Sequence, residues 1–201
     1  MFYEPSKGHG LPHDPFKAIV APRPIGWISS LGADGSLNLA PYSFFNALGT
    51  HPHLVMFSSE GQKDSVSFAA ETREFVANLV SRDLAEKMNA SAVDAPRGVS
   101  EFDYAGLTPV PSSLVAPPRV GEALAALECK VTDILEPKGL DGRPAGNVIV
   151  FGEVVGVHID DAALTDGLFD IVKAGTVARL GYMDYTAVSE TFQMRRPRWQ
   201  E

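Results

Sequence analysis

The stretch that decides the fold is "IGWISSLGADGSLNLAPYSFFNAL", residues 25–48. Two β-rich runs flank Ala33-Asp34-Gly35-Ser36. Asp-Gly between such runs signals a tight hairpin, because the turn needs residues that tolerate φ > 0. The runs carry more polar and flat groups than a plain half-buried ladder requires. Trp27, Ser29 and Ser30 stand on the first, and Tyr42, Ser43, Phe44, Phe45 and Asn46 crowd the end of the second. That crowding marks the hairpin as a candidate binding surface.

The strand pattern continues outward. "HLVMFSS" at 53–59 reads as a further strand after the break "GTHP". The period then changes: Val66, Phe68, Ala69 and Phe75 do not alternate, and Asp64 or Ser65 suits a helix start. "FVANLVS" at 75–81 returns to strand, and "DLAEKMNASA" predicts a helix opened by Asp83, with Glu86 placed for a capping box. Residues 93–119 hold Pro96, Pro109, Pro111, Pro117 and Pro118, which predicts a long irregular surface excursion in the position of a lid. "ALECKVTDILEP" and "NVIVFGEVVGVHID" flank a turn at 138–146 containing Asp141-Gly142 and form a second hairpin. Short strands joined by Gly and Asp turns predict a mainly β fold, a closed or nearly closed antiparallel barrel with peripheral helices, rather than a doubly wound α/β sheet.

With 201 residues, 45% of them hydrophobic, the chain suits one domain spanning 1–201, with an arm at 1–18 and the 93–119 insertion. A net charge of −8 argues against general nucleic-acid or membrane-surface binding, which needs excess Lys and Arg. The N-terminus shows no basic segment followed by an apolar run, so a soluble, cytoplasmic protein is expected. Cys129 is the only cysteine, which rules out an intrachain disulfide and a thiolate-rich metal site.

The familiar catalytic signatures GxSxG, the Walker loop, HExxH and GxGxxG are absent. His51 and His53 flank Pro52 and read more simply as turn residues than as metal ligands. Cys129 and His158 lie on the two late strands, where a lone Cys is more often core than nucleophile. Lys63-Asp64-Ser65 carries more information. A Lys and a Ser hydroxyl at a helix start, beside unpaired N–H groups, make an anion pocket. On the tripeptide alone, an ordinary Asp or Ser cap with an exposed Lys is the readier explanation.

"RPIGWISSLGADGSLNLAPYSFFNALGTHPHLVMFSS", "KDSVSFAAETREFVANLVS", "ALECKVTDI", "GEVVGVHID" and "ARLGYMDYT", in this order over residues 19–185, resemble the flavin reductase-like family, and its flavoredoxin-like branch in particular. The resemblance implies a Greek-key-like split β-barrel that binds FMN, assembled as a homodimer with the flavin in a groove beside the interface and NAD(P)H as electron donor. It places Trp27, Ser29 and Ser30 on one wall and gives Ser43, Phe44 and Asn46 flavin or ribityl contacts. Lys63, Asp64 and Ser65 match the phosphate end, with Asp64 as a helix cap and Ser58 and Ser59 completing the cradle. Arg179 falls in a late segment that approaches the cofactor. Trp27, Phe44 and Phe45 are equally readable as barrel core. The implied chemistry is hydride transfer from nicotinamide to flavin N5, which rests on positioning and needs no dedicated catalytic side chain. An FMN electron carrier reduced by another protein, and a flavin-free binding module, are the alternatives.

Overall fold

The computed structural model describes residues 1–199. A 3-10 turn (Pro5–Lys7) and one-turn helix α1 (Phe16–Ile19) lead into β1 (Arg23–Pro24), β2 (Gly26–Leu31), β3 (Leu37–Tyr42), β4 (Phe45–Thr50) and β5 (His53–Glu60). Then come α2 (Asp64–Thr72), β6 (Glu74–Asn78), a 3-10 turn (Arg82–Leu84), α3 (Ala85–Ala90), α4 (Glu101–Ala105) and the short pair β7 (Pro109–Val110) and β8 (Arg119–Val120). The long strands β9 (Ala125–Leu135) and β10 (Asn147–Ile159) precede β11 (Leu164–Thr165), β12 (Leu168–Phe169), β13 (Val177–Arg179) and β14 (Tyr185–Ala187).

The main sheet has seven strands in the order β3-β2-β6-β9-β10-β5-β4, and every pairing in it is antiparallel. Its two edges, β3 and β4, are consecutive in the chain and joined through Ser43 and Phe44 alone. In a flat sheet those edges would lie six inter-strand steps apart, about 29 Å. The link spans at most about 11 Å of Cα trace. The sheet must therefore curl until its edges nearly meet, and it closes into a barrel with one split. Contacts across the turn follow: Ser58 N–H donates to Phe44 O at 2.8 Å, and the Phe45 ring lies over Gly26 on β2, where a Cβ would meet it at 2.5 Å. The sequence reads residues 37–48 as one run; the structure breaks it at Ser43 because an unbroken strand could not turn the corner of the barrel.

Both hairpins form as their turns require. Gly35 has φ 84° and Gly142 φ 78°, and Asp34 Oδ1 accepts the Ser36 N–H at 3.0 Å. Arg73, at φ 61°, ends α2 in the left-handed region and lets the chain re-enter the sheet at Glu74. The core fills the barrel with Ile28, Phe57, Phe75, Cys129 and Val150. A second cluster outside it packs Trp27, Leu39, Met88, Phe102 and Val120.

Two expectations need correction. Asp83 opens no capping box: it lies inside the 3-10 turn, and α3 starts at Ala85 with no side-chain cap. The 93–119 insertion is a surface excursion only in part: Phe102, Leu107, Val115 and Pro118 are buried, while most of its other residues are exposed. It and the adjoining β8 are sewn to the sheet by side-chain hydrogen bonds. Ser113 and Leu114 N–H groups donate to the Glu128 carboxylate at 2.7 and 2.6 Å, Val120 N–H to Asn78 Oδ1 at 2.8 Å, and the Ser29 hydroxyl to Pro118 O at 2.5 Å.

Candidate functional site

A cavity of about 440 Å³ opens where the barrel splits. β3 and its exit supply Asn38, Ala40, Pro41, Tyr42, Ser43 and Phe44; β5 supplies Ser58 and Glu60; the start of α2 supplies Lys63, Asp64 and Ser65. The far wall comes from Ser91 to Arg97 and from Glu101 of α4, and Lys17 reaches in from the N-terminal arm. The fold thus brings together the 38–44, 58–65 and 91–101 stretches and Lys17, which lie apart in sequence.

At one end the cavity meets the N-terminus of α2. Lys63 occupies the N-cap position, and its carbonyl accepts the N–H groups of Val66 and Ser67 at 3.0 Å each. No side chain caps this helix, so Asp64 is not the cap the sequence reading makes it; it is the first helical residue, one place too late. The amides of Asp64 and Ser65 have no acceptor among the described residues, and the end of the helix keeps its partial positive charge. Lys63 Nζ lies 3.4 Å from Asp94 Oδ1 across the mouth, with both side chains more than half exposed. Behind it, Asn38 Nδ2 donates to Ser65 Oγ at 2.7 Å. The Tyr42 and Ser59 hydroxyls are buried with no hydrogen-bond partner among the described residues. Burial pushes the Tyr42 phenol up, against the smaller opposing influence of the Ser65 and Ser59 hydroxyls and the Lys63 ammonium. An unpartnered buried hydroxyl costs about 1–3 kcal/mol, which makes Tyr42 a donor in want of an acceptor on the cavity wall.

The residues expected at the site divide. Ser43, Phe44, Ser58, Lys63, Asp64 and Ser65 line the cavity. Trp27, Ser29 and Ser30 do not: all three are fully buried. Trp27 Nε1 donates to Ser91 Oγ at 2.9 Å and Ser30 Oγ accepts from Asn38 at 3.4 Å, so these two hold lining residues from behind. Ser29 is engaged with Pro118 and Asn78, away from the cavity. Strand alternation explains the group, since "GWISS" is buried on both faces between the barrel and the insertion. Ser59 is fully buried, pointing opposite to Ser58. Asn46 is exposed on β4, its Oδ1 accepting the adjacent Ala47 N–H. Arg179 lies in a different pocket with Arg82 and Tyr185, its guanidinium 4.3 Å from the Tyr185 ring. His51 and His53 flank the β4–β5 turn. Cys129 is buried and its thiol is pushed far above the usual range by burial and then by Glu128, which leaves no thiolate for chemistry.

The flavin reductase like domain model matches residues 20–179, four fifths of the sequence, and its span holds every lining residue but Lys17. The chain belongs to the flavin reductase-like family. Solved structures agree with that membership. Nitrilotriacetate monooxygenase component B from Bacillus cereus superposes with a TM-score of 0.87 at 27% identity, covering 96% of this chain and 98% of that one. The 2-nitrobenzoate 2-nitroreductase of Pseudomonas fluorescens gives 0.80 at 28% identity over 90% and 88%. Flavoredoxin of Desulfovibrio vulgaris gives 0.77 at 24% identity over 86% and 90%, a likeness of fold. In this flavin reductase-like chain the structure adds Asn38, Ser91, Arg97 and Glu101 to the lining and gives Tyr42, already conspicuous at the end of the second strand, its place on the cavity wall. Asn38 stands in the same hairpin stretch; nothing local distinguishes Glu101.

Proposed function

We propose that the chain is an FMN-dependent oxidoreductase that takes electrons from NAD(P)H, with the barrel-split cavity as the flavin site. The observation that carries this reading is the convergence of Ser43, Phe44, Ser58, Lys63 and Ser65 on one cavity that ends at an uncapped helix N-terminus. The residues fit the group. Free amides, an ammonium and the Tyr42 hydroxyl suit a terminal phosphate, and Phe44 with the strand-end backbone suits a flat ring system. A flavin held by these residues would supply the hydride-accepting ring between a nicotinamide donor and an onward acceptor. The chain's part is to bind and orient. Lys63 and the α2 amides hold the phosphate end, Ser43 and Ser58 offer hydroxyls along the cavity, and Phe44 excludes water from one side. No acid–base side chain is assigned to the reaction.

The reading is tested by adding FMN to the flavin-stripped protein and following fluorescence quenching, then NAD(P)H oxidation without oxygen. Absence of saturable FMN binding rejects the site. Tight FMN binding without nicotinamide oxidation leaves an electron carrier reduced by another protein. Lys63→Ala should weaken FMN about fivefold to thirtyfold, about 1–2 kcal/mol, at the low end for a charge-assisted contact because Lys63 is half exposed and shared with Asp94. FMN should bind more tightly than FAD, whose bridging diester offers the helix end less charge. Equal affinities in a titration of both flavins would move the phosphate site elsewhere.

A homodimer, working in the cytoplasm, completes the proposal. No helix among the described residues is long and apolar enough to cross a membrane. Phe192, Met194 and Trp199 are 85%, 83% and 92% exposed on a segment without regular structure, and Phe2, Phe16 and Ile19 are exposed on the N-terminal arm. Apolar side chains standing off both ends favour a second copy as cover. Light scattering over a dilution series, read beside flavin fluorescence, should show FMN released as dimer dissociates; a monomer retaining FMN contradicts it.

A further inference from the structure

Glu101 belongs to none of the roles above. It sits on α4, inside the insertion, and is only 6% exposed, yet it forms part of the cavity wall. Its Oε2 accepts the Leu39 N–H at 2.9 Å, so it satisfies an outward amide of the edge strand β3. No hydrogen bond is made by Oε1 among the described residues. We propose, resting on the phosphate-site reading, that Glu101 makes anion binding proton-linked: the cavity takes up a proton at Glu101 when a phosphate dianion settles at the N-terminus of α2.

The charges around the cavity give the reason. Four carboxylates line it, Glu60, Asp64, Asp94 and Glu101, against three cations, Lys17, Lys63 and Arg97. The cations are already engaged: Lys17 with Glu60, Lys63 with Asp94, and Arg97 with Asp34 and Glu71, at 3.4–3.5 Å. A dianion entering this wall needs relief from a carboxylate, and Glu101 is the buried one. From α2 it faces Asp64, and from β3 the Tyr42 phenol, which Lys63 approaches as well; Asp103 shares its own helix, and Lys87 of α3 is held on Gly106 O at the far end of α4. Burial, and to a smaller extent the Asp64 charge, raise the carboxyl while the Leu39 N–H and the backbone N–H of Glu101 itself oppose them. A second negative group nearby favours the neutral acid further. Protonation on Oε1 leaves Oε2 to keep the Leu39 amide, so the fold need not move to accept the proton.

The test is calorimetric titration of flavin-stripped protein with FMN at pH 7.5, where the phosphate is dianionic, in two buffers of different ionisation enthalpy. Riboflavin, which has no phosphate, is the comparison. The wild-type protein should take up a measurable fraction of a proton with FMN and less with riboflavin, and the FMN Kd should rise with pH from 7 to 9, by at most about tenfold per unit for one linked proton. Glu101→Gln, which keeps the acceptor for Leu39, should bind FMN with no uptake and a flat pH profile. Equal proton uptake in wild type and variant overturns the proposal. If the variant does not fold, equal uptake with FMN and riboflavin in the wild type overturns it instead. A flat profile in a protein whose FMN affinity still depends on Lys63 rejects only the proton link, whereas insensitivity to Lys63 rejects the site itself.

Discussion

Glu128→Ala is expected to lower folding stability by about 2–5 kcal/mol and to release the Pro-rich loop at 112–118 from the sheet. Glu128 is fully buried, and its carboxylate accepts Ser113 and Leu114 N–H groups and meets His158 Nε2. Truncation takes the acceptor from two part-buried amides and leaves a void in place of a fully buried side chain, each lost bond worth about 1–3 kcal/mol. Gly156 leaves room for this side chain, its missing Cβ standing 3.3 Å from the carboxyl carbon. Urea denaturation should show a lower midpoint with an unchanged slope, and limited proteolysis should nick the variant near Ser113 first. The pH dependence has a definite sign. Burial acts to raise this carboxyl, but the Ser113 N–H, His158 and the Leu114 N–H outweigh it and hold it below the usual range. The unfolded chain therefore binds the proton more readily. The contribution to stability is complete above about pH 4.3, the ordinary Glu value, and disappears as pH falls through the lower folded value. An unchanged acid midpoint in Glu128→Ala would contradict the assignment.

Arg23→Ala should be comparably severe, costing about 3 kcal/mol or more, and should also abolish tight FMN binding. The Arg23 guanidinium is only 6% exposed and no carboxylate pairs with it among the described residues. It donates instead to the carbonyls of Lys17, Val20 and Leu180, the last two at 2.6 and 2.8 Å, while Nε leans on Ser43 Oγ at 3.4 Å. Burial and the nearby Arg179 lower its pKa, so the ion is held at a cost that the three carbonyls offset. Removing it leaves those carbonyls bare, detaches the arm carrying Lys17, and frees Ser43 beside the cavity. Arg23→Lys should rescue little, because a single ammonium lacks the fork that reaches three acceptors. Thermal melts paired with FMN titration decide the matter: full affinity in a folded Arg23→Lys protein would show that the fork is dispensable.

The sequence carried the strands, both hairpin turns and the helix at α2, because alternation, Asp-Gly turns and a change of period are local signals. It misread features whose cause is distant. The break at Ser43 follows from sheet closure, which depends on seven strands together. The insertion reads as surface throughout because its prolines dominate the pattern, while the groups that anchor its inner part, Glu128 and Ser29, stand elsewhere in the chain. The same holds at the cavity. Ser43, Phe44, Lys63 and Ser65 were legible from the hairpin and the helix start. Trp27 and Ser30 were read one layer too far forward, since a polar group on a strand buried on both faces shows no sidedness. Glu101 reaches the cavity only through its tertiary contact with the amide of Leu39.

The joint at Ser43 and Phe44 makes the mouth of this barrel an adjustable aperture. Every other strand connection can lengthen without altering how far the two sheet edges stand apart, but a residue gained here loosens the tether between them, as letting out one link of a clasp widens its gape. The gape on this side of the cavity is therefore tied to the length of a two-residue tether, while α2 and the 91–97 stretch bound the other sides. A single insertion or deletion at 43–44 would alter that gape first.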